Sequence, residues 1–173
     1  IAGFFSRNDK LNKKSAEKYN ISKDFLFNDL EIMLKKVKNK IDAIILLTPT
    51  PSHFDILKRI IKNKIPVICE KPLVTNLKEA IEISKLQKKN HAYIATIYNY
   101  TGYPLIREIK KRIEINQIGE IENIQFEMPQ DAFLIRNTSY PISNWRTKDK
   151  FIPNICLDLG THLFNLLFFL TNK

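Results

Sequence analysis

The chain has 173 residues, 44% of them hydrophobic and 27% charged, with a net charge of +10 and a pI near 9.6. That is ordinary soluble globular composition, with length for one domain and part of a second. The lysines are spread over helix faces, as in Lys35-Lys36, Lys58-Arg59, Lys88-Lys89 and Lys110-Lys111-Arg112, and no stacking-aromatic RNA motif is present, so no nucleic-acid partner is expected and a phosphate-bearing ligand is the better use for the positive field.

Strand and helix signals alternate, which predicts a parallel-sheet α/β architecture. Ile1–Phe5 reads as a strand, and with no initiator methionine before it the chain is expected to be an internal piece of a longer protein. A helix follows over Lys10–Tyr19, and Asp29 can cap another through Val37. Ile41–Leu47 is a near-continuous apolar run, as for a central strand covered on both faces. After the rigid turn Thr48-Pro49-Thr50-Pro51, Ser52 and Asp55 have capping-box spacing, and Phe54, Leu57, Ile60 and Ile61 make the buried stripe of the next helix. Ile65–Cys69 is a strand, Asn76 and Glu79 cap a helix to about Lys89, and His91–Ile97 is a further strand.

Near Tyr98 the pattern changes, and a domain boundary is placed there. Leu105, Ile106, Ile109 and Ile113 form a helix stripe closed by Gly119. Ile124, Phe126 and Met128 alternate with polar residues, which predicts a half-exposed antiparallel strand. A loop with Pro129, Pro141 and Pro153 leads to a last helix from about Leu157. The apolar stretch Leu163–Leu170 is too short to span a membrane. Cys69 and Cys156 form no C-x-x-C pair, so no metal site is expected; both read as small apolar residues in a reducing cytoplasm.

Chemistry concentrates in two places. Glu70-Lys71-Pro72 follows the strand Ile65–Cys69, where open α/β sheets keep their ligands, and the proline restricts the lysine before it. Asp158 and His162 are four apart, on one face if the segment is helical. Lysine, aspartate and histidine together form a proton-handling set. Singly, each reads equally as a solvated charge or a helix-surface pair.

The ordered series Thr48-Pro49-Thr50-Pro51-Ser52-His53, Glu70-Lys71-Pro72, Asn99-Tyr100-Thr101-Gly102-Tyr103-Pro104, Ile118-Gly119-Glu120-Ile121, Trp145-Arg146 and Asp158-Leu159-Gly160-Thr161-His162 resembles the glucose–fructose oxidoreductase / inositol dehydrogenase family, Gfo/Idh/MocA. The resemblance implies an incomplete Rossmann-type parallel sheet with helices on both faces (residues 1–97). The first strand and its glycine-rich turn are missing from this stretch. Residues 98–173 would begin an α+β substrate and oligomerisation domain. It further implies an NAD(P)-dependent oxidoreductase that moves a hydride between a nicotinamide and a sugar hydroxyl or ketone, with Lys71, Asp158 and His162 in the catalytic roles. Thr48, Pro49, His53, Glu70, Lys71, Pro72, Trp145 and Arg146 would line the cofactor. Asn99, Tyr103 and Asn165 would meet the substrate, and a homo-oligomer would form at full length.

Ser6-Arg7 stands at the tip of the first strand, where dinucleotide folds meet the adenosine ribose. A hydroxyl beside a guanidinium suits a 2′-phosphate, so NADP is favoured over NAD. Asn165 replaces a carboxylate common in relatives, and Pro153-Asn154 replaces paired glycines. With Met128-Pro129-Gln130, these departures point away from simple inositol or glucose. The segment also resembles family members associated with surface-polysaccharide gene clusters, and that resemblance implies a nucleotide-linked sugar as substrate. The alternatives are a cofactor-sensing regulator of the same fold and a truncated inactive product.

Overall fold

A computed structural model gives the arrangement of residues 1–129, 153 and 155–172. The order is β1 (Phe4–Phe5), α1 (Asp9–Tyr19), β2 (Leu26–Phe27), α2 (Leu30–Val37), β3 (Ile44–Leu46), α3 (His53–Lys62), β4 (Val67–Glu70), α4 (Leu77–Asn90), β5 (Ile94–Ile97), α5 (Pro104–Glu114) and α6 (Thr161–Thr171). All strand pairs among the described residues are parallel, so the chain is α/β with helical crossovers. β1 pairs with β2, and β3-β4-β5 form a separate three-stranded sheet. In that sheet Leu46 stands opposite Cys69, and Glu70 opposite Ile97. The carboxyl ends of β3, β4 and β5 therefore share one edge.

The core lies on one face of this sheet. Leu46, Val67 and Cys69 meet Leu34 and Val37 of α2, Leu57, Ile60 and Ile61 of α3 and Ile83 of α4. Leu57, Ile60, Ile61 and Val67 are fully buried, each contributing about 1.5–3 kcal/mol of apolar transfer. The i, i+3, i+4 spacing of Leu57, Ile60 and Ile61 is what turns α3 into the central packing helix.

Helix starts follow local polar chemistry. Asn8 accepts from the amides of Lys10 and Leu11, and Asp29 from that of Ile32 at 2.9 Å. Asn76 accepts from Glu79 N at 3.0 Å, while the Glu79 carboxylate turns back to the amide and hydroxyl of Thr75. The box expected at Ser52 does not form. Ser52 lies in a tight turn over Thr50–Ser52 that runs into α3, and its hydroxyl contacts Thr48 Oγ1 and Pro49 O, both at 2.8 Å.

Three further expectations are corrected. Ile41–Leu47 is not a strand covered on both faces: β3 spans only Ile44–Leu46, and Ile45 and Leu47 are more than 60% exposed. β3 has one strand neighbour among the described residues, and Ile45 and Leu47 are left largely open on its outer side. Residues 120–129 form no strand; Ile124, Phe126 and Met128 keep the half-buried alternation, without a pairing partner among the described residues. α5 stops at Glu114, before Gly119, because Asn116 takes the left-handed turn at φ 54°. No residue of α5 is buried, so its apolar stripe stays largely open.

Candidate active site

β4 ends at Glu70, and the chain turns through Lys71 and the buried Pro72. The Lys71 amide donates to Glu70 Oε2 at 3.1 Å, which fixes the turn locally. The Lys71 ammonium reaches across to a distant stretch. It lies 2.6 Å from Asp158 Oδ1 and also donates to the Asp158 main-chain oxygen. Both side chains are largely shielded, 14% and 26% exposed, so this charged pair is screened much less than a surface pair.

Asp158 lies in a π-helical turn, Cys156–Gly160, that leads directly into α6. The Thr161 amide bonds back to Cys156 O, the five-residue step of such a turn, and Thr161 Oγ1 donates to Leu157 O at 2.9 Å. This widened coil presents both the carboxylate and the main-chain oxygen of Asp158 to Lys71.

His162, in the first turn of α6, is 8% exposed. Tyr98 and Tyr100 meet its ring edge-on, with centroids 5.8 and 4.8 Å away. Its Nδ1 is buried with no hydrogen-bond partner among the described residues. Burial pushes the imidazole below its ordinary value of 6.5, and the Lys71 charge pushes the same way; Asp158 and Glu70 oppose them. The ring is thus held neutral near pH 7, with a nitrogen able to take a proton. Lys71, Asp158 and His162 come together in one place.

His53 sits elsewhere. It has no exposed surface; Nδ1 lies 3.0 Å from Pro72 O and Nε2 2.6 Å from Thr48 O. Both ring nitrogens are engaged inside the protein, beneath the turn, and present nothing to a ligand. Thr48 is half-buried and Pro49 exposed at the β3 exit. Cys69 is fully buried and its thiol is pushed up to about 12, chiefly by burial and then by Glu70, so it packs as a small apolar group; Cys156 is exposed.

At the end of β1, Ser6 is half-buried and Arg7 exposed. Asn12 of α1, missed in the sequence, is 6% exposed and donates from Nδ2 to Ser6 O at 2.9 Å and Phe27 O at 3.0 Å. Ser6 Oγ accepts from Asn8 N at 3.1 Å, which leaves its proton for another acceptor. Asn99 and Tyr103 are exposed near β5, and Asn165 is half-buried on α6, one turn beyond His162. Trp145 and Arg146 lie outside the described residues. Tyr98 and Tyr100 were also missed; they flank Asn99, and only their contact with α6 distinguishes them. Among the described residues no cluster of three or more His, Cys, Asp or Glu could hold a metal, and no helix is long and apolar enough to cross a membrane.

The chain is similar to several known proteins. An oxidoreductase of Sinorhizobium meliloti, solved by crystallography, superposes with a TM-score of 0.79 at 28% identity, covering 99% of this chain and 44% of its own. The inositol dehydrogenase homolog of Azotobacter vinelandii, complexed with NADH and myo-inositol, gives 0.78 at 22% identity over all of this chain and 45% of its own, a likeness of fold. The uncharacterized oxidoreductase YfiI of Bacillus subtilis is 28% identical over 134 residues, 75% of this chain and 34% of YfiI. The chain spans about a third of the length of the curated relatives it matches. Residues 1–98 match the family described as the oxidoreductase family with an NAD-binding Rossmann fold, GFO_IDH_MocA, and the chain belongs to that Gfo/Idh/MocA family.

Proposed function

We propose that the whole protein is an NAD(P)-dependent dehydrogenase or reductase acting on a sugar hydroxyl or ketone, with Lys71, Asp158 and His162 handling the proton. The observation that carries this is the shielded Lys71–Asp158 pair, 2.6 Å long, beside a buried imidazole with an unpartnered nitrogen. The nicotinamide supplies hydride acceptance or donation. The protein must then move the hydroxyl proton, because an alcohol is a poor acid. His162, held neutral, takes it. The Lys71 ammonium stabilises negative charge developing on the substrate oxygen. Asp158 aims that ammonium through the 2.6 Å contact. Run in reverse, the same groups protonate a ketone oxygen.

The residues fit a dinucleotide. Ser6 and Arg7 offer a hydroxyl and an exposed guanidinium at the β1 tip, which supports NADP over NAD. Thr48, Pro49 and the Glu70-Lys71-Pro72 turn stand at the adjoining carboxyl ends of β3 and β4, where a nicotinamide would lie. Asn99, Tyr103 and Asn165 offer amide and hydroxyl groups to a sugar. Asn165 cannot serve as a charged base. A nucleotide-linked sugar is the substrate class we favour, with residues 98–173 opening the substrate and oligomerisation domain.

Lys71→Met in the full-length protein tests the reading. Turnover should fall by on the order of 10²-fold or more with cofactor affinity largely kept. Near-normal turnover in single-turnover kinetics would remove the ammonium from the chemistry.

A further inference from the structure

The Lys71 turn is braced from beneath by a side chain that the proton chemistry does not use. His53 opens α3 and stands between two backbone oxygens from different segments, Thr48 O after β3 and Pro72 O after Lys71. Carbonyl oxygens only accept. The ring fills the gap between them, 3.0 Å from Pro72 O and 2.6 Å from Thr48 O, and its N–H can donate to either. The Cys69 thiol, 3.5 Å from Nδ1, already has an acceptor in Glu70 O at 3.3 Å. Pro72 has no N–H of its own, so this ring is the link that ties its carbonyl to the β3 exit.

We propose that His53 is a positioning residue for Lys71: its ring, wedged between the Thr48 and Pro72 carbonyls, ties the turn after β4 to the β3 exit and so fixes the direction in which the Lys71 side chain leaves the turn. Lys71 is then held on both sides, by the β4 ladder before it, where Glu70 pairs with Ile97, and by the clamp after it. His53 itself has no exposed surface, so the ring is packed inside the protein and out of reach of water. The catalytic consequence rests on the role proposed for Lys71; the clamp itself does not.

The test uses the full-length protein and two variants, His53→Leu and His53→Gln. Lysine acylation followed by mass spectrometry should show Lys71 reacting roughly threefold faster or more in His53→Leu, as the Asp158 pair loosens, with Lys110 unchanged. Turnover should fall by roughly tenfold to 10²-fold with the KM for cofactor held within about threefold. His53→Gln, whose amide can still donate, should recover part of both effects. A folded His53→Leu protein with unchanged Lys71 reactivity overturns the proposal. Faster Lys71 reaction with normal turnover supports the clamp and instead overturns the role given to Lys71. If His53→Leu does not fold, His53→Asn takes its place under the same two outcomes.

Discussion

Two strand-end turns of this protein are built on one plan and finished differently. At the end of β4, Pro72 O is held by buried His53; at the end of β1, Ser6 O is held by buried Asn12. In both, a helix side chain, from α3 before β4 and from α1 after β1, binds main-chain oxygens at the turn. The charged residues they carry differ. Lys71 is 14% exposed and locked on Asp158, whereas Arg7 is exposed. A group that must meet a reacting oxygen has to be placed within a fraction of an ångström. A cation that meets a phosphate can find it from solvent, because charge attraction and a forked guanidinium tolerate approach from several directions.

This contrast ranks the expected effects. The largest belongs to Lys71→Met, a loss in turnover of on the order of 10²-fold or more. Asn12→Leu attacks the other brace and should act on stability instead. Ser6 O loses its buried donor, while Phe27 O retains the Ser6 amide at 3.0 Å, so the cost should be about 1–3 kcal/mol, read by chemical denaturation, with turnover of the remaining folded protein unchanged. The orientation of Asn12 is secure in this respect: a carbonyl turned toward two main-chain oxygens would be repelled. Arg7→Ala should leave turnover at saturating cofactor intact and weaken NADP(H) about tenfold or more while sparing NAD(H), measured by titration of cofactor fluorescence. Equal affinity for both cofactors before and after the change would take the phosphate role away from Arg7.

Much of this plan is legible in the sequence. The α3 stripe and the caps at Asp29 and Asn76 depend on local spacing, which a sequence records directly. The Lys71 turn follows from an apolar run ending in a charged residue and a proline. Asn12 and His53 are harder to see, because each owes its role to main-chain oxygens from other segments. An asparagine inside a lysine-rich helix looks like surface until Ser6 and Phe27 are brought over it, across |i−j| of 6 and 15. The π-helical turn at Cys156–Gly160 leaves no periodic signature, so even spacing alone put Asp158 and His162 on one regular helix face. The exposed face of β3 and the unpaired 120–129 segment fail for a related reason: strand patterns report which faces are suited to burial, and burial itself depends on a partner.

The finest test of the Lys71 turn is its effect on its neighbour. His162 sits below its ordinary value of 6.5 through burial and Lys71, against Asp158 and Glu70. Removing the ammonium in Lys71→Met takes away a lowering influence, so the imidazole should titrate at higher pH. Removing the carboxylate charge in Asp158→Asn takes away a raising influence, so it should titrate lower still. The acid limb of kcat/KM, which falls as the base becomes protonated, should follow: upward in the first variant, downward in the second. The same lowered value links to stability. Below pH 6.5 the unfolded chain takes up a proton that the folded ring still resists, so His162's contribution, full above that pH, is lost as the pH falls through the folded value. Proton NMR titration of His162 reads the sign in each variant. Shifts in the same direction in both would mean that Lys71 and Asp158 act on the ring through packing, and the charge-based account of the site would be lost with them.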